Sequence, residues 1–144
     1  MNTEREHPTP TKKGKRYLFT SKHHGAGKSD EARWHPSLSD DEEFSVFDGG
    51  DFHDIYNESG RYLYGIFRKG KRLCELGTWH QFVAEFPKSN EAWHGYPVYP
   101  VTEPAPPNRT GDDAKPSREV FEKLEASGLI SKQERKRLWK GRHA

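Results

Sequence analysis

Histidine is the side chain best suited to moving protons near neutral pH, and this 144-residue sequence contains eight histidines. Acid–base catalysis requires such a side chain within hydrogen-bonding reach of the proton that it transfers, and a neighbouring charge adjusts its acidity. His53 and His80 are the catalytic candidates, each in a segment predicted to be helical, and either would act together with nearby Arg or Lys side chains. Their nearest acids, Asp54 and Glu85, are one and five residues away, which is poor spacing for contact on a helix. A small histidine-dependent nuclease is the third of three functional hypotheses.

Two other segments resemble ligand-binding loops only in part. Residues 24–29 end like a phosphate-binding P-loop, but Lys22 stands where the first glycine is required. Residues 48–51 lack the alternating oxygen ligands of a calcium loop and are interpreted as a turn and a helix cap. We predict no metal site and no cofactor. The alternative left open is a metal site built from His23, His24, His35 and an acidic residue.

A sharper pattern combines aromatic residues with positive charge. Tyr62 and Tyr64 lie two apart on a predicted strand, and the turn that follows at residues 68–71 is basic. Tyrosines on a sheet can stack on bases while Lys and Arg hold phosphates. The order of glycines and aromatics in residues 61–67 does not match the RNA-recognition strand signature. The alternative is that the tyrosines cover a core and the basic turn keeps the hairpin soluble.

The C-terminal end predicts two short helices with a basic outer arm. Pro116 and Ser117 suit a helix start, and Gly128 suits the left-handed residue that ends the helix. Ser131 and Glu134 then form a capping box for a second helix over Lys132–Trp139. Its connection is as short as that of a DNA-reading helix-turn-helix, but its packing positions do not fit. Phosphate contact without base reading, or docking of the apolar face on protein, remains open.

These patterns define the candidate nucleic-acid-binding residues. They are Arg61, Tyr62, Tyr64, Arg68, Lys69, Lys71, Arg72, Lys132, Arg135, Lys136 and Lys140.

Charge is unevenly distributed although the net charge is only +2. Residues 1–28 hold seven Lys or Arg against two Glu, residues 132–144 hold six against one, and residues 29–131 carry a net −8. Basic ends on an acidic body predict arms that bind an anionic partner or that fold back onto the body. A protein-interaction or inhibitor-type module is the second hypothesis. Its acidic residues would be Asp40, Asp41, Glu42, Glu43, Asp48, Asp51 and Asp54.

The elements that must position these residues form an α+β class fold. We predict a strand over residues 43–47, a short helix capped by Asp51, and a central hairpin over about 61–77 with its loop at Lys69-Gly70. That register places Leu63, Phe67, Cys74 and Leu76 on one face and Tyr62, Tyr64, Ile66 and Leu73 on the other. Apolar residues at positions 79, 82, 83 and 86 have the spacing of one helical face, and they predict a helix over about 78–86 that packs on the hairpin.

Length and composition limit the chain to one modest domain with polar extensions. We expect a mostly flexible basic region at 1–42, a compact body at 43–100, a proline-rich linker at 101–115, and a helical hairpin with its basic arm at 116–144. Cys74 is the only cysteine, which excludes an intrachain disulfide. With no secretory signal and no long apolar run, the expectation is a cytoplasmic protein with no membrane partner. The leading hypothesis is a binding module for nucleic acid or a nucleic-acid-associated protein.

Overall fold

The computed structural model describes residues 5–20, 34–77, 81–98 and 116–139. Its strands are β1 (Arg5–Glu6), β2 (Leu18–Phe19), β3 (Tyr62–Gly65), β4 (Arg68–Lys69), β5 (Arg72–Leu73), β6 (Val83–Pro87) and β7 (Tyr96–Val98). Its helices are α1 (Asp40–Phe52), α2 (Arg118–Ala126) and α3 (Lys132–Trp139). Helices packed with small antiparallel sheets confirm the predicted α+β class. No helix in these ranges has both the length and the apolar content needed to cross a bilayer.

The central layer is a three-stranded antiparallel sheet in the order β3-β6-β7. Side chains alternate along each strand, so each face of the sheet supplies a separate core. The first core lies between one face and α1 and also includes Tyr17 and Phe19 from the N-terminal segment. The second core lies between the other face and the pair α2–α3. The sheet is therefore covered on both sides.

The α2–α3 pair forms as predicted because its signals are local. Ser117 caps α2, and Gly128 adopts the expected left-handed conformation with a φ of 81°. The Ser131 amide donates to Glu134 Oε1 at 2.8 Å, and the Glu134 amide donates to Ser131 Oγ at 3.1 Å. This capping box starts α3. The boundaries predicted for the body and the linker stay a prediction, since residues 99–115 lie outside the described ranges.

The predicted strand at 43–47 is wrong, because these residues belong to α1. The helix begins at the Ser39 cap, in which Ser39 and Glu42 exchange hydrogen bonds, and Asp51 lies inside it rather than capping a later helix. Its buried residues are Glu43, Val46, Phe47, Gly50 and Asp51, a spacing of three and four. Five residues were too few to separate this period from strand alternation. The glycines at 49 and 50, interpreted as a turn, lie within the helix.

The predicted helix over 78–86 is also wrong where it can be compared, since Val83–Pro87 is the central strand of the sheet. Val83 contributes to the second core, while Ala84 and Phe86 contribute to the first. A strand covered on both faces is apolar at successive positions, and this imitated a helical spacing. Residues 78–80, which include the proposed Thr78 cap, lie outside the described ranges.

The predicted hairpin over 61–77 is wrong in its pairing. β3 pairs with β6, and only β4 and β5 form a hairpin, with Arg68 opposite Leu73 and Lys69 opposite Arg72. The turn is therefore Gly70-Lys71, one residue later than predicted, with Gly70 at a φ of 59°. β3 pairs with β6, a strand distant in the sequence, because most residues of β6 are buried and provide an apolar partner. Even so, Leu63 and Leu76 enter the first core while Tyr64, Ile66 and Leu73 enter the second, as the predicted faces required.

Candidate nucleic-acid interface

Arg68 joins the β4–β5 hairpin to the start of α3. Its Nη1 and Nη2 donate to the two carboxylate oxygens of Glu134 at 2.9 and 3.0 Å. Nη1 also donates to the Leu129 carbonyl at 3.3 Å, and Nη2 donates to the Lys71 carbonyl at 2.6 Å. A bidentate guanidinium–carboxylate pair fixes orientation as well as distance. The hairpin turn and the first turn of α3 therefore lie side by side.

Five exposed cations of the hairpin and α3 have no acidic partner in the described part of the chain. We call them the basic surface: Lys71, Arg72, Lys132, Lys136 and Arg137. Lys132 and Lys136 are one helical turn apart on α3 and share a face. Three predicted members have acidic partners instead: Arg68 pairs with Glu134, Lys69 Nζ lies 3.4 Å from Glu42 Oε2, and Arg135 bonds Glu125. Arg137 was not among the predicted binding residues, although its position in the basic run of α3 could have identified it.

Lys140, predicted to extend the same surface, lies outside the described ranges.

Acids of the chain itself neutralise most of the positive charge of the described N-terminal segment. Lys15 Nζ lies 2.6 Å from Asp51 Oδ1, and Asp51, whose exposure is 0%, also accepts from Thr11 Oγ1 at 2.8 Å. Further ion pairs join Arg5 to Asp40, Lys13 to Asp54 and Arg16 to Glu6. The remaining acids that the sequence singled out are also bonded, namely Asp41 to His7, Glu42 to Lys69, Glu43 to Tyr17 and Asp48 to the Lys12 amide. The described part of this arm thus folds back onto α1.

Tyr64 is not available to stack on a base, because it is only 3% exposed. Its hydroxyl donates to Glu85 Oε2 at 2.6 Å, and the Tyr96 hydroxyl donates to Glu85 Oε1 at the same distance. Burial, followed by the charge of Glu85, raises the pKa of Tyr64 well above its usual value. These three residues face one another across β3, β6 and β7. They hold the sheet together rather than contact a ligand.

Arg61 and Tyr62 are exposed but lie at the end of β3 away from the hairpin. Tyr62 is 36% exposed, and the Arg61 carbonyl accepts from the Lys88 amide at 2.8 Å. The structure therefore brings the hairpin and α3 together but leaves these two candidates apart from them.

The catalytic candidates gain no partner in the described structure. His53 is exposed just after α1, with its ring 5.1 Å from that of Phe52 in an edge-on arrangement. It makes no hydrogen bond to a charged group of the described ranges. His80 lies outside them, as do His23 and His24. No group of three or more His, Cys, Asp or Glu side chains suited to a metal ion occurs in the part of the chain that is described.

The junction at Arg68 should be sensitive to acid. Burial raises the pKa of Glu134, but hydrogen bonds from Arg68 and Ser131 outweigh it and hold that pKa below its usual value. A depressed folded-state pKa stabilises the fold above about pH 4.5, and this stabilisation is lost as the pH falls through the folded-state value. Glu134→Gln, which keeps the cap, should cost about 1 kcal/mol at pH 7. At a pH below the folded-state pKa of Glu134, urea titrations should show no difference in stability between the variant and the unmodified protein.

Glu91→Gln is the matched control for this titration, because Glu91 is exposed and has no ion pair with another described residue. Its unfolding free energy should follow that of the unmodified protein at every pH. An acid-sensitive difference of equal size in both variants would contradict a specific role for the Arg68–Glu134 pair.

No family model matches this chain, and no curated protein or solved structure matches it either.

Proposed function

We propose that the protein is a small cytoplasmic binding module whose basic surface contacts nucleic acid, or an anionic protein associated with nucleic acid. One contrast carries the proposal. Four of the five Lys and Arg residues of the described N-terminal segment are paired with acids of this chain, and the fifth, Lys12, lies over the Phe52 ring, whereas the five cations of the basic surface have no acidic partner in the described ranges. Their charge is therefore available to an external anion.

The arrangement favours phosphates over a single small anion. Lys132 and Lys136 are separated by about 6 Å along α3, and Lys71 lies beside the start of that helix. Consecutive phosphates of one strand are spaced by a few ångströms, so several of these cations can each neutralise one phosphate. Release of the condensed counterions would then supply most of the binding free energy. Affinity with little sequence preference is the expected result.

The test is the salt dependence of binding to a labelled oligonucleotide. With four or five phosphate contacts, log K should fall with log salt at a slope of roughly −3 to −4. Lys132→Ala/Lys136→Ala should reduce that slope by about 2 and weaken binding at least roughly tenfold at low salt. Lys12→Ala/Lys88→Ala is the matched control, since it removes the same charge from exposed positions outside the basic surface. No binding at low salt, or equal losses in both double variants, would reject the proposal.

The other two hypotheses have less support. An inhibitor-type module would have to use acids of α1 that already accept hydrogen bonds or form ion pairs within this chain. Its basic partner would have to displace the N-terminal segment first. A nuclease centred on His53 would need a second catalytic group, and the described residues place none in hydrogen-bonding contact with that ring.

A further inference from the structure

A cavity of about 300 Å³ lies between the start of α1 and the β4–β5 hairpin. It is lined by polar and apolar side chains together, among them His35, Glu42, Phe67, Lys69, Arg72 and Cys74. The volume is at the lower end of the range for small-molecule sites, so it accepts one compact ligand.

The hairpin presents opposite faces to the cavity and to α3. Arg68 and Leu73 are paired, and they face α2–α3, where Arg68 bonds Glu134 and Leu73 enters the second core. Lys69 and Arg72 are paired on the other face and line the cavity. Arg72 therefore belongs both to the basic surface and to the cavity. A strand bound across the hairpin turn would reach the cavity mouth at this residue.

The cavity lining carries two carboxylates, Glu42 and Glu75, beside the cations Lys69 and Arg72 and the ring of His35. Glu42 is already occupied, since Oε1 accepts from the Ser39 amide at 2.9 Å and Oε2 lies 3.4 Å from Lys69 Nζ. The Ser37 amide donates to His35 Nδ1 at 3.2 Å, so the neutral ring carries its proton on Nε2 and can donate it. The Arg72 guanidinium has no acidic partner in the described ranges.

The apolar part of the lining is an aromatic ring and an aliphatic side chain. Phe67 and Leu38 are half-buried, and both pack against the first core while also lining the cavity. A planar base can stack on an aromatic ring beside donors that hold phosphate, and this pairing recurs where single-stranded nucleic acid is bound.

We propose that this cavity binds one nucleotide unit, with its phosphate on Arg72 and its base against Phe67. The unit is either a free nucleoside monophosphate or one nucleotide turned out of a single strand. The second source rests on the proposed function of the basic surface; the first does not. A base paired within a duplex cannot enter without leaving its stack, so the cavity discriminates single strands from duplexes.

Cys74 makes occupancy measurable, because it is the only cysteine of the chain and it lines the cavity half-buried. The rate at which a small disulfide reagent modifies the full-length protein is measured with a single-stranded oligonucleotide, a duplex of equal length, adenosine monophosphate and inorganic phosphate. At ten times the dissociation constant, an occupying ligand should slow the reaction about tenfold. The single strand and the monophosphate should protect Cys74; the duplex and inorganic phosphate should not.

The outcomes separate the two proposals. Salt-dependent binding of the oligonucleotide without protection by any ligand would overturn the nucleotide site and leave the basic surface standing. Protection by the monophosphate without oligonucleotide binding would overturn the basic surface as a nucleic-acid interface and leave the nucleotide site standing. Equal protection by inorganic phosphate would overturn recognition of a nucleotide in favour of a plain anion.

Two variants assign the contacts. Arg72→Gln should abolish protection by the monophosphate, whereas Arg61→Gln, an exposed arginine at the far end of β3, should leave it unchanged. Phe67→Leu keeps apolar packing but removes the ring, and it should weaken protection while the thermal unfolding curve stays cooperative. Unchanged protection in both cavity variants would overturn the assignment.

Discussion

Gly50→Ala should lower the free energy of unfolding by about 3 kcal/mol or more, because the added methyl group has no space. A Cβ at this position would lie 2.1 Å from the Tyr64 carbonyl oxygen, which belongs to the backbone of β3. A backbone atom of a hydrogen-bonded strand cannot rotate away as a flexible side chain does. Helix α1 would therefore have to separate from the sheet and lose contacts of the first core.

The same contact exists in the other direction. A Cβ on Gly65 of β3 would lie 2.2 Å from the Val46 carbonyl oxygen of α1, so Gly65→Ala should be destabilising to a similar degree. The two glycines allow the helix and the strand to approach backbone to backbone.

Gly49→Ala is the control, since it lies next to Gly50 in α1 and an added Cβ would meet no atom within 4 Å. Removing a helical glycine there should stabilise the protein by up to about 1 kcal/mol. Urea unfolding followed by circular dichroism compares all three variants. If Gly50→Ala were as stable as Gly49→Ala, the close contact between α1 and β3 would be wrong.

Phe121→Ala should cost about 3–5 kcal/mol, the usual loss for a large buried aromatic side chain. Phe121 is 2% exposed in the second core, and its ring lies 5.8 Å from that of Trp139 in an edge-on arrangement. The truncation would leave a cavity between α2–α3 and the sheet. The loss approaches the whole stability of a small domain, so the variant should be largely unfolded at moderate temperature.

Glu122→Ala is the control on the same helix, because Glu122 is exposed and only forms a surface pair with Arg118 at 3.8 Å. It should change the free energy of unfolding by no more than about 0.5 kcal/mol. Thermal unfolding monitored by tryptophan fluorescence separates the variants. A cost below about 1 kcal/mol for Phe121→Ala would mean that α2–α3 does not dock on the sheet, and the side-by-side arrangement of hairpin and α3 would fail with it.

The elements that could be predicted correctly are those whose signals lie within a few residues. Gly128, Ser131 and Glu134 satisfy backbone groups of their immediate neighbours, so the α2–α3 pair follows from local chemistry. The predictions for the segments of α1 and β6 were wrong, because their apolar patterns depend on tertiary burial. Helix α1 is buried on one face, whereas strand β6 is buried on both. Phe86 and Val83 are buried on opposite sides of a sheet, which a window of neighbouring residues does not reveal.

The candidate interface shows the same division. The sequence identified the basic residues of the hairpin and of α3, since charge is readable residue by residue. It did not predict that Tyr64 is buried beside Glu85, or that Lys69 and Arg135 have acidic partners. Those pairings join residues that are far apart in the chain, and no local pattern encodes them.

By itself, the sequence determined the α+β class, the helical hairpin at the C-terminal end and the types of residue available for contact. Only the tertiary structure decided which charges are neutralised and which stay available. The described N-terminal arm folds onto α1, while Arg68 draws the hairpin turn and α3 together. The physical reason is that the partner of a charged side chain depends on distance in space, and the folding of the whole chain sets that distance.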